Sequence, residues 1–332
     1  MSFDQKILVI RFSSIGDIVL ATSPLKTIRR AYPDAQITFL TLDTFAPLLE
    51  YHPDIDALVS ISKRMSLIEL WGFADHIRRK QYRHIFDLHN SIRSNLVTLR
   101  SSSPVYQLKK PRWNRFLLFY FHHNEFGSDF STRKMYHEHL GSIWNENDDL
   151  PATLLKVSNY EQKMARDMLL DKNIFDEFIA VVPGAAWTQK QWPAEKYIET
   201  LNQLDLPAVL LGEKKDTICF DIAKRSSSTV NLAGQTTIRQ ALAVLANSAY
   251  VIGSDTGLTH AAEALGKQVY MILGPTSPET GAGVNLPGST NIETDVWCRP
   301  CSQNGKLPCY RKTQECMDSI VPNDVIQSLL PG

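Results

Sequence analysis

The sequence predicts an α/β fold built from two doubly wound, Rossmann-like domains. Three observations carry that expectation. The 332 residues suit about two domains of roughly 150 residues each. In the first hundred residues, short apolar runs alternate with segments of helical periodicity, the pattern of a parallel sheet covered on both faces. The alternation weakens between 100 and 150 and restarts near 178, as a second sheet requires.

The first half reads in order as follows. "ILVIRF" (7–12) is a strand and 17–31 a helix; "QITFLT" (36–41) is a strand and "TFAPLLEYH" a helix. "ALVSIS" (57–62) is a strand before the helical "SLIELWGFADHIRRKQ", and "HIFDLH" (84–89) a strand before the helical "SIRSNLVTLRS". The second half offers strands at "FIAVVPG" (178–184), "PAVLLG" (207–212), "TVNLAG" (229–234), "YVIGSD" (250–255) and "QVYMILG" (268–274), with helices such as "PAEKYIETLNQL" and "TIRQALAVLANS" between them. The polar, proline-containing "NENDDLPATLLKVS" connects the halves, which places the domains at 1–152 and 153–332. In such sheets ligands sit beyond the carboxyl ends of the strands, so two domains facing each other would make a cleft.

Composition narrows the class. The chain is 43% hydrophobic and 21% charged, ordinary for a soluble globular enzyme. Its 35 basic and 35 acidic residues balance, which argues against nucleic acid as a partner. "MSFDQKILVI" lacks the features of a signal peptide, and no apolar run approaches the roughly 18 residues of a membrane span. A cytoplasmic protein is expected, with its five cysteines as thiols or metal ligands before disulfides.

The chemistry concentrates in strand-end turns. In "VIGSDTGLTHAAEALGKQVYMILGPTSP" (251–278) a helix starts near Leu258 after Asp255, Thr256 and Gly257. The first-turn amides of such a helix have no helical partners and favour an anion, and Gly257 permits close approach by a phosphate. Asp255 is placed to accept from sugar hydroxyls, with His260 one turn on; alternatively Asp255 caps the helix. "LGPTSP" makes a second polar turn on the same edge. In "VVPGAAWTQKQWPAEKY" (181–197) Pro193 opens a helix, Lys190 is either a phosphate ligand or a solvated lysine, and Trp187 and Trp192 anchor the loop. Glu213 in "LLGEKKD" and Thr236 in "NLAGQTTIRQ" end further strands. "RFSSIGD", after the first strand, has no G-x-G-x-x-G run, which disfavours a nicotinamide-dependent oxidoreductase.

The ordered set "SSIGD", "PGAAWTQKQWP" and "SDTGLTHAAEALGKQVYMILGPTSP" resembles the ADP-heptose:lipopolysaccharide heptosyltransferases, glycosyltransferase family 9, from the first strand to the C-terminal region. The resemblance implies the GT-B arrangement, two Rossmann-like domains facing a cleft, with the acceptor in the N-terminal domain and the nucleotide-sugar in the C-terminal one. The last helix is expected to pack back on the N-terminal domain. The family's donor site maps onto Asp255, Thr256, Gly257 and His260 for diphosphate and heptose, Lys190 for a phosphate, Glu213 for the ribose and Thr236 near the adenine. Ala185 and Ala186 stand where some members carry hydroxyls, and Gln191 replaces a commoner arginine. Asp17 becomes the candidate general base of an inverting transfer that needs no cofactor; its alternative role is a helix N-cap or first-turn acid. Ser13, Ser14 and Gly16 would shape the acceptor side.

"QLKKPRWNRFLLFYFHHN" (107–124) puts Lys109, Lys110, Arg112 and Arg115 ahead of an aromatic run. This suits an anionic glycolipid, the lipopolysaccharide core, at the inner membrane face; alternatively it is a core helix with a charged start. Arg93 in "DLHNSIRSN" is a further acceptor candidate. Cys298 and Cys301 have the C-x-x-C spacing of a metal knuckle, and with Cys309 and Cys316 they raise a structural zinc; plain thiols are the alternative. Cys219 reads as a buried small hydrophobe. A GT-B transferase or epimerase with another nucleotide-sugar, and an inactive nucleotide-sugar-binding module, stay open, as do oligomeric state and the position of the sugar added.

Overall fold

The computed structural model describes residues 5–330, so the start of "MSFDQ" lies outside the described residues. The chain forms two compact units. One takes residues up to 110 with 132–156; the other takes 111–131 with residues from 157 on. The basic-aromatic segment is therefore divided: Lys109 and Lys110 cluster with the first unit, and its part from residue 111 on with the second.

The first unit holds β1 (Lys6–Ile10), β2 (Gln36–Leu42), β3 (Ala57–Ile61), β4 (His84–Asp87) and β5 (Val105–Gln107). They form one parallel sheet in the order β3-β2-β1-β4-β5. Because β1 and β4 are central, they are covered on both faces, and Ile7 through Ile10 are fully buried. The second unit holds β6 (Ile179–Val182), β7 (Ala208–Leu210), β8 (Thr229–Asn231), β9 (Tyr250–Ser254), β10 (Val269–Ile272) and β11 (Thr290–Ile292). Its parallel order is β11-β10-β9-β6-β7-β8. In both sheets the order reverses beside the first strand of the unit. Such switch points are where doubly wound sheets bind ligands. They lie at the β1/β4 and β6/β9 strand ends.

Two expected helices differ. The segment 17–31 is two helices, Ile15–Leu20 and Ser23–Ala31. Pro24 lacks the N–H that a continuous helix would need there, and is at home in the first turn of a new one. "TFAPLLEYH" forms a 3₁₀ turn, Asp43–Leu49, around Pro47 for the same reason. The last helix, Pro322–Leu329, packs on the helix Ala194–Leu201 and on β10 and β11 of its own unit. Among the described residues no helix is long and apolar enough to cross a membrane.

Candidate functional site

Each unit carries an aspartate at its switch point, and the two are held differently. In the first unit, the chain leaves β1 through Arg11 and turns into the helix Ile15–Leu20, whose third residue is Asp17. Asp17 Oδ2 accepts from the Ser14 backbone N–H at 3.1 Å and the Ser14 hydroxyl at 2.9 Å, so the first-turn-acid role is real. Asp17 Oδ1 pairs with the Arg11 guanidinium at 2.8 Å and accepts from the Tyr136 hydroxyl at 3.4 Å. The Asp17 side chain is 39% exposed, so helix capping leaves it reachable. Ser13 and Gly16 are half-buried beside it.

Arg11 is buried, and its second guanidinium nitrogen donates to the Leu88 carbonyl at 2.6 Å. Tyr136 lies under the guanidinium, 5.6 Å from centroid to Cζ. Burial opposes the Asp17 charge, but Arg11 and the Ser14 donors outweigh it and hold the carboxyl below its ordinary value. From the β4 end, the Asp87 carboxylate accepts from the His89 and Asn90 amides at 3.0 and 2.9 Å. His89 packs edge-on against Phe12, and burial together with nearby Arg11 and Lys110 pushes it down to about 4, so it is neutral.

In the second unit the segments after β6, β9 and β10 converge. Lys190 Nζ lies 2.6 Å from Asp255 Oδ2. The Thr276 hydroxyl donates to the same oxygen at 2.9 Å, and His260 Nε2 lies 3.3 Å from Oδ1. Asp255 is buried; desolvation works against its charge, yet Lys190 and His260 keep it ionised far below the usual carboxylate range. These three contacts come from side chains, not from first-turn amides of the helix Gly257–Ala264, so Asp255 is not that helix's cap. The capping position belongs to Thr256, whose side chain makes no capping hydrogen bond. An uncapped helix start beside a lysine is a site for an anion. Gly253 permits the tight β6/β9 pairing below it: a Cβ there would meet the Val182 carbonyl at 2.7 Å.

Glu213 and Thr236 stand at the ends of β7 and β8, away from the Lys190–Asp255 pair along the same edge. Glu213 is exposed and pairs with Lys215 at 2.9 Å. Thr236 is half-buried, while its neighbour Thr237 caps the next helix. Gln191, where an arginine is commoner, donates to the Ala185 carbonyl at 3.2 Å and braces the loop. Trp192 is fully buried and donates to the Ile320 carbonyl, as an anchor should.

The acceptor candidates scatter. Arg93 is spent on the Met65 carbonyl at 2.8 Å and the Ser62 carbonyl at 3.4 Å, fixing the loop after β3. Lys109 is exposed; Lys110 donates to the Asn90 carbonyl at 3.2 Å. Arg112 and Arg115 lie on the helix Arg112–Phe121 of the second unit. That helix buries only Leu118, so the core-helix alternative fails.

Cys298, Cys301, Cys309 and Cys316 are free thiols, and among the described residues no three Cys, His, Asp or Glu side chains form a metal-holding group. Cys298 and Cys316 sulfurs instead accept from Arg311 and Gln314 at 3.7 and 3.9 Å. The segment braces the strand-end loops beside it. Arg299 donates to the Gly274 and Thr276 carbonyls, and Gln314 to that of Gln189. Gly305, at φ +73°, lies against Lys190, where a Cβ would come within 2.5 Å of Lys190 Cγ. Cys219 is fully buried.

Sequence reasoning misses Arg11, Tyr136, His89 and the Thr276 contact. Thr276 sits in the "LGPTSP" turn, and Arg11 is a charged residue ending an otherwise apolar strand, a signal available without a structure.

Residues 70–310 match the model of glycosyltransferase family 9 (heptosyltransferase). Lipopolysaccharide heptosyltransferase 2 of Salmonella typhimurium is 26% identical over 300 residues, covering 83% of this chain and 84% of that protein. The structure of the E. coli ADP-heptose lps heptosyltransferase II superposes with a TM-score of 0.76 at 23% identity, covering 98% and 97% of the two chains. That of E. coli heptosyltransferase WaaC with ADP-2-deoxy-2-fluoro heptose gives 0.66 at 19%, covering 97% and 98%. The fold is therefore of the GT-B class, and this chain belongs to glycosyltransferase family 9, the heptosyltransferases.

Proposed function

We propose that this chain is an inverting transferase that moves heptose from ADP-L-glycero-D-manno-heptose to the lipopolysaccharide inner core. The second unit takes the donor and the first the acceptor. The observation that carries the reading is the uncapped start of the helix Gly257–Ala264 beside the Lys190–Asp255 pair. The amides of Gly257 and its successors and the Lys190 ammonium suit a diphosphate, with Thr256 and His260 near the heptose. Glu213, exposed at the next strand end, takes the ribose hydroxyls, and Thr236 lies toward the adenine.

In the reaction, an acceptor hydroxyl oxygen attacks the anomeric carbon as the bond to ADP breaks. ADP leaves with that bond's electron pair, and the hydroxyl proton passes to the Asp17 carboxylate. Asp17 suits this role because Arg11 keeps it ionised while part of it faces solvent. A base held below its ordinary pKa is a weaker proton acceptor, so its contribution comes from position and constant ionisation. Lys190 and the helix amides offset the charge building on the diphosphate. Ser13, Ser14 and Gly16 shape the acceptor side, and Lys109 and Lys110 meet its anionic groups. No cofactor takes part in these steps.

The test is ADP release from ADP-heptose in the presence of heptose-deficient lipopolysaccharide. Release with ADP-heptose and none with UDP-sugars is expected. Release from a UDP-sugar instead, or donor binding without turnover on any core acceptor, contradicts the reading.

A further inference from the structure

Lys190 is held at both ends of its side chain by one segment, residues 298–316, which follows β11 in the second unit. At the charged end, Lys190 Nζ and the Thr276 hydroxyl share Asp255 Oδ2, at 2.6 and 2.9 Å. Thr276 lies in the turn after β10, and three carbonyls of that turn accept from the segment. Arg299 donates to Gly274 at 2.5 Å and to Thr276 at 2.9 Å, and the Cys301 amide donates to Pro275 at 3.2 Å. The Arg299 side chain is 8% exposed and also holds the Thr294 carbonyl at 2.6 Å and the Glu293 carboxylate at 2.7 Å. At the other end, Gln314 donates to the Gln189 carbonyl, next to Lys190 in the chain. Gly305, at φ +73°, faces the aliphatic stem: a Cβ there would stand 2.5 Å from Lys190 Cγ and 2.9 Å from Cδ. The Ser302 hydroxyl oxygen fixes that glycine by accepting from its amide at 3.0 Å.

We propose that Arg299 and Gly305 are positioning residues for the donor: they aim the Lys190 ammonium at the nucleotide diphosphate without touching it. The inference rests on the donor reading above and deepens it. A lysine is a point charge on a flexible stem, so the place of its charge depends on what walls the stem and what anchors the head. Gly305 is the wall. The anchor is Asp255, whose carboxylate is fixed in rotation because His260 faces one oxygen and Thr276 donates to the other. Thr276 can hold that oxygen only while its turn stays in place, and Arg299 ties the turn down. An arginine suits this task, since its planar fork presents several donors in fixed geometry. One side chain thereby gathers the carbonyls of Gly274, Thr276 and Thr294. Precision matters here, because a displacement of about 1 Å in a group that positions substrate can cost about a hundredfold in rate.

The experiment is titration calorimetry of the full chain with ADP, with melting temperatures measured alongside. Thr276→Val removes the hydroxyl and Arg299→Met the fork, and each lowers ADP affinity about tenfold. Because Arg299 acts through Thr276, the two losses do not multiply: the double variant binds ADP within about twofold of the weaker single variant. The stem is tested by two glycines. Gly288 also has a positive φ, +85°, but a Cβ there meets nothing within 4 Å. Gly305→Ala and Gly288→Ala therefore strain the backbone alike, and only Gly305→Ala loses ADP affinity, by about tenfold. Equal affinity in the two alanine variants, or losses that multiply in the Arg299/Thr276 pair, would overturn the proposal. Wild type that binds UDP in place of ADP, with the variants ranked the same way, would sink the ADP-heptose reading alone. Binding of neither nucleotide by wild type would defeat both.

Discussion

Asp17 and Asp255 both stand at the switch point of a parallel sheet, Asp17 after the first strand of its sheet and Asp255 after the strand on the other side of the switch, and their surroundings hold them in opposite ways. Asp255 is buried and engaged by three side chains, one from the segment after each of three strands. It leaves the capping position of the next helix to Thr256. Asp17 caps its own helix, pairs with Arg11 and stays partly open to solvent. A saturated carboxylate organises other groups; a half-exposed one can exchange a proton. Asp255 is therefore the clamp that fixes Lys190 and His260, and Asp17 is the residue we propose as the base. The same strand–turn–helix unit yields either, depending on how many cations and hydroxyls the neighbouring loops deliver.

The largest expected effect on stability comes from the clamp. Asp255→Ala strands Lys190 in a buried site, which costs about 3–5 kcal/mol and should be read by denaturant unfolding. A loss under about 1 kcal/mol would mean that Asp255 is no clamp. The effect carries a pH signature. The folded pKa of Asp255 is lowered, so its contribution is complete above the ordinary carboxylate value of about 3.9. It erodes as pH falls below that value. Wild type and Asp255→Asn should converge in stability on acidification, and divergence there would contradict the ion-pair account.

Next comes Arg11, which holds the proposed base, Asp17, in its ionised state. Arg11→Met removes the ion pair at 2.8 Å, and the Asp17 pKa rises by about one unit or more. The acid limb of kcat/KM, which falls where Asp17 takes up its proton, moves to higher pH. Neutral His89 and the Tyr136 hydroxyl flank the same site; neither replaces the lost charge. Arg11→Lys restores most of the profile. An unmoved acid limb in Arg11→Met would separate Arg11 from catalysis.

The smallest effect belongs to Glu213. Its side chain is exposed and pairs with Lys215, itself a surface residue, so Glu213→Ala changes stability by less than about 0.5 kcal/mol. Donor affinity should fall about tenfold through lost charged hydrogen bonds to ribose. Titration calorimetry with ADP-heptose reads this, and unchanged affinity would take Glu213 out of the donor site.

Much of this is legible without coordinates. The central strands are largely apolar, and their end turns carry glycine and aspartate, so both sheets and both aspartates follow from local pattern. β5 and β11, three residues each, are too short for a periodicity to register. The break at Ala21–Thr22 is signalled by Pro24 but masked by the helical residues around it. What local pattern cannot supply are the pairings across long separations: Thr276 on Asp255, Tyr136 on Asp17, Trp297 beside His122. Nor does an apolar helical run say which side it buries, and "FLLFYF" turns most of its aromatic surface outward against the usual expectation.

The central claim rests on the contrast between the two aspartates, and Asp17→Asn tests it most directly. The measurement pairs ADP-heptose affinity with single-turnover heptose transfer in that variant. The account predicts donor affinity within about twofold of wild type and turnover lower by about two to four powers of ten. Near-normal turnover, or a loss of donor affinity that explains the lost rate, would contradict it.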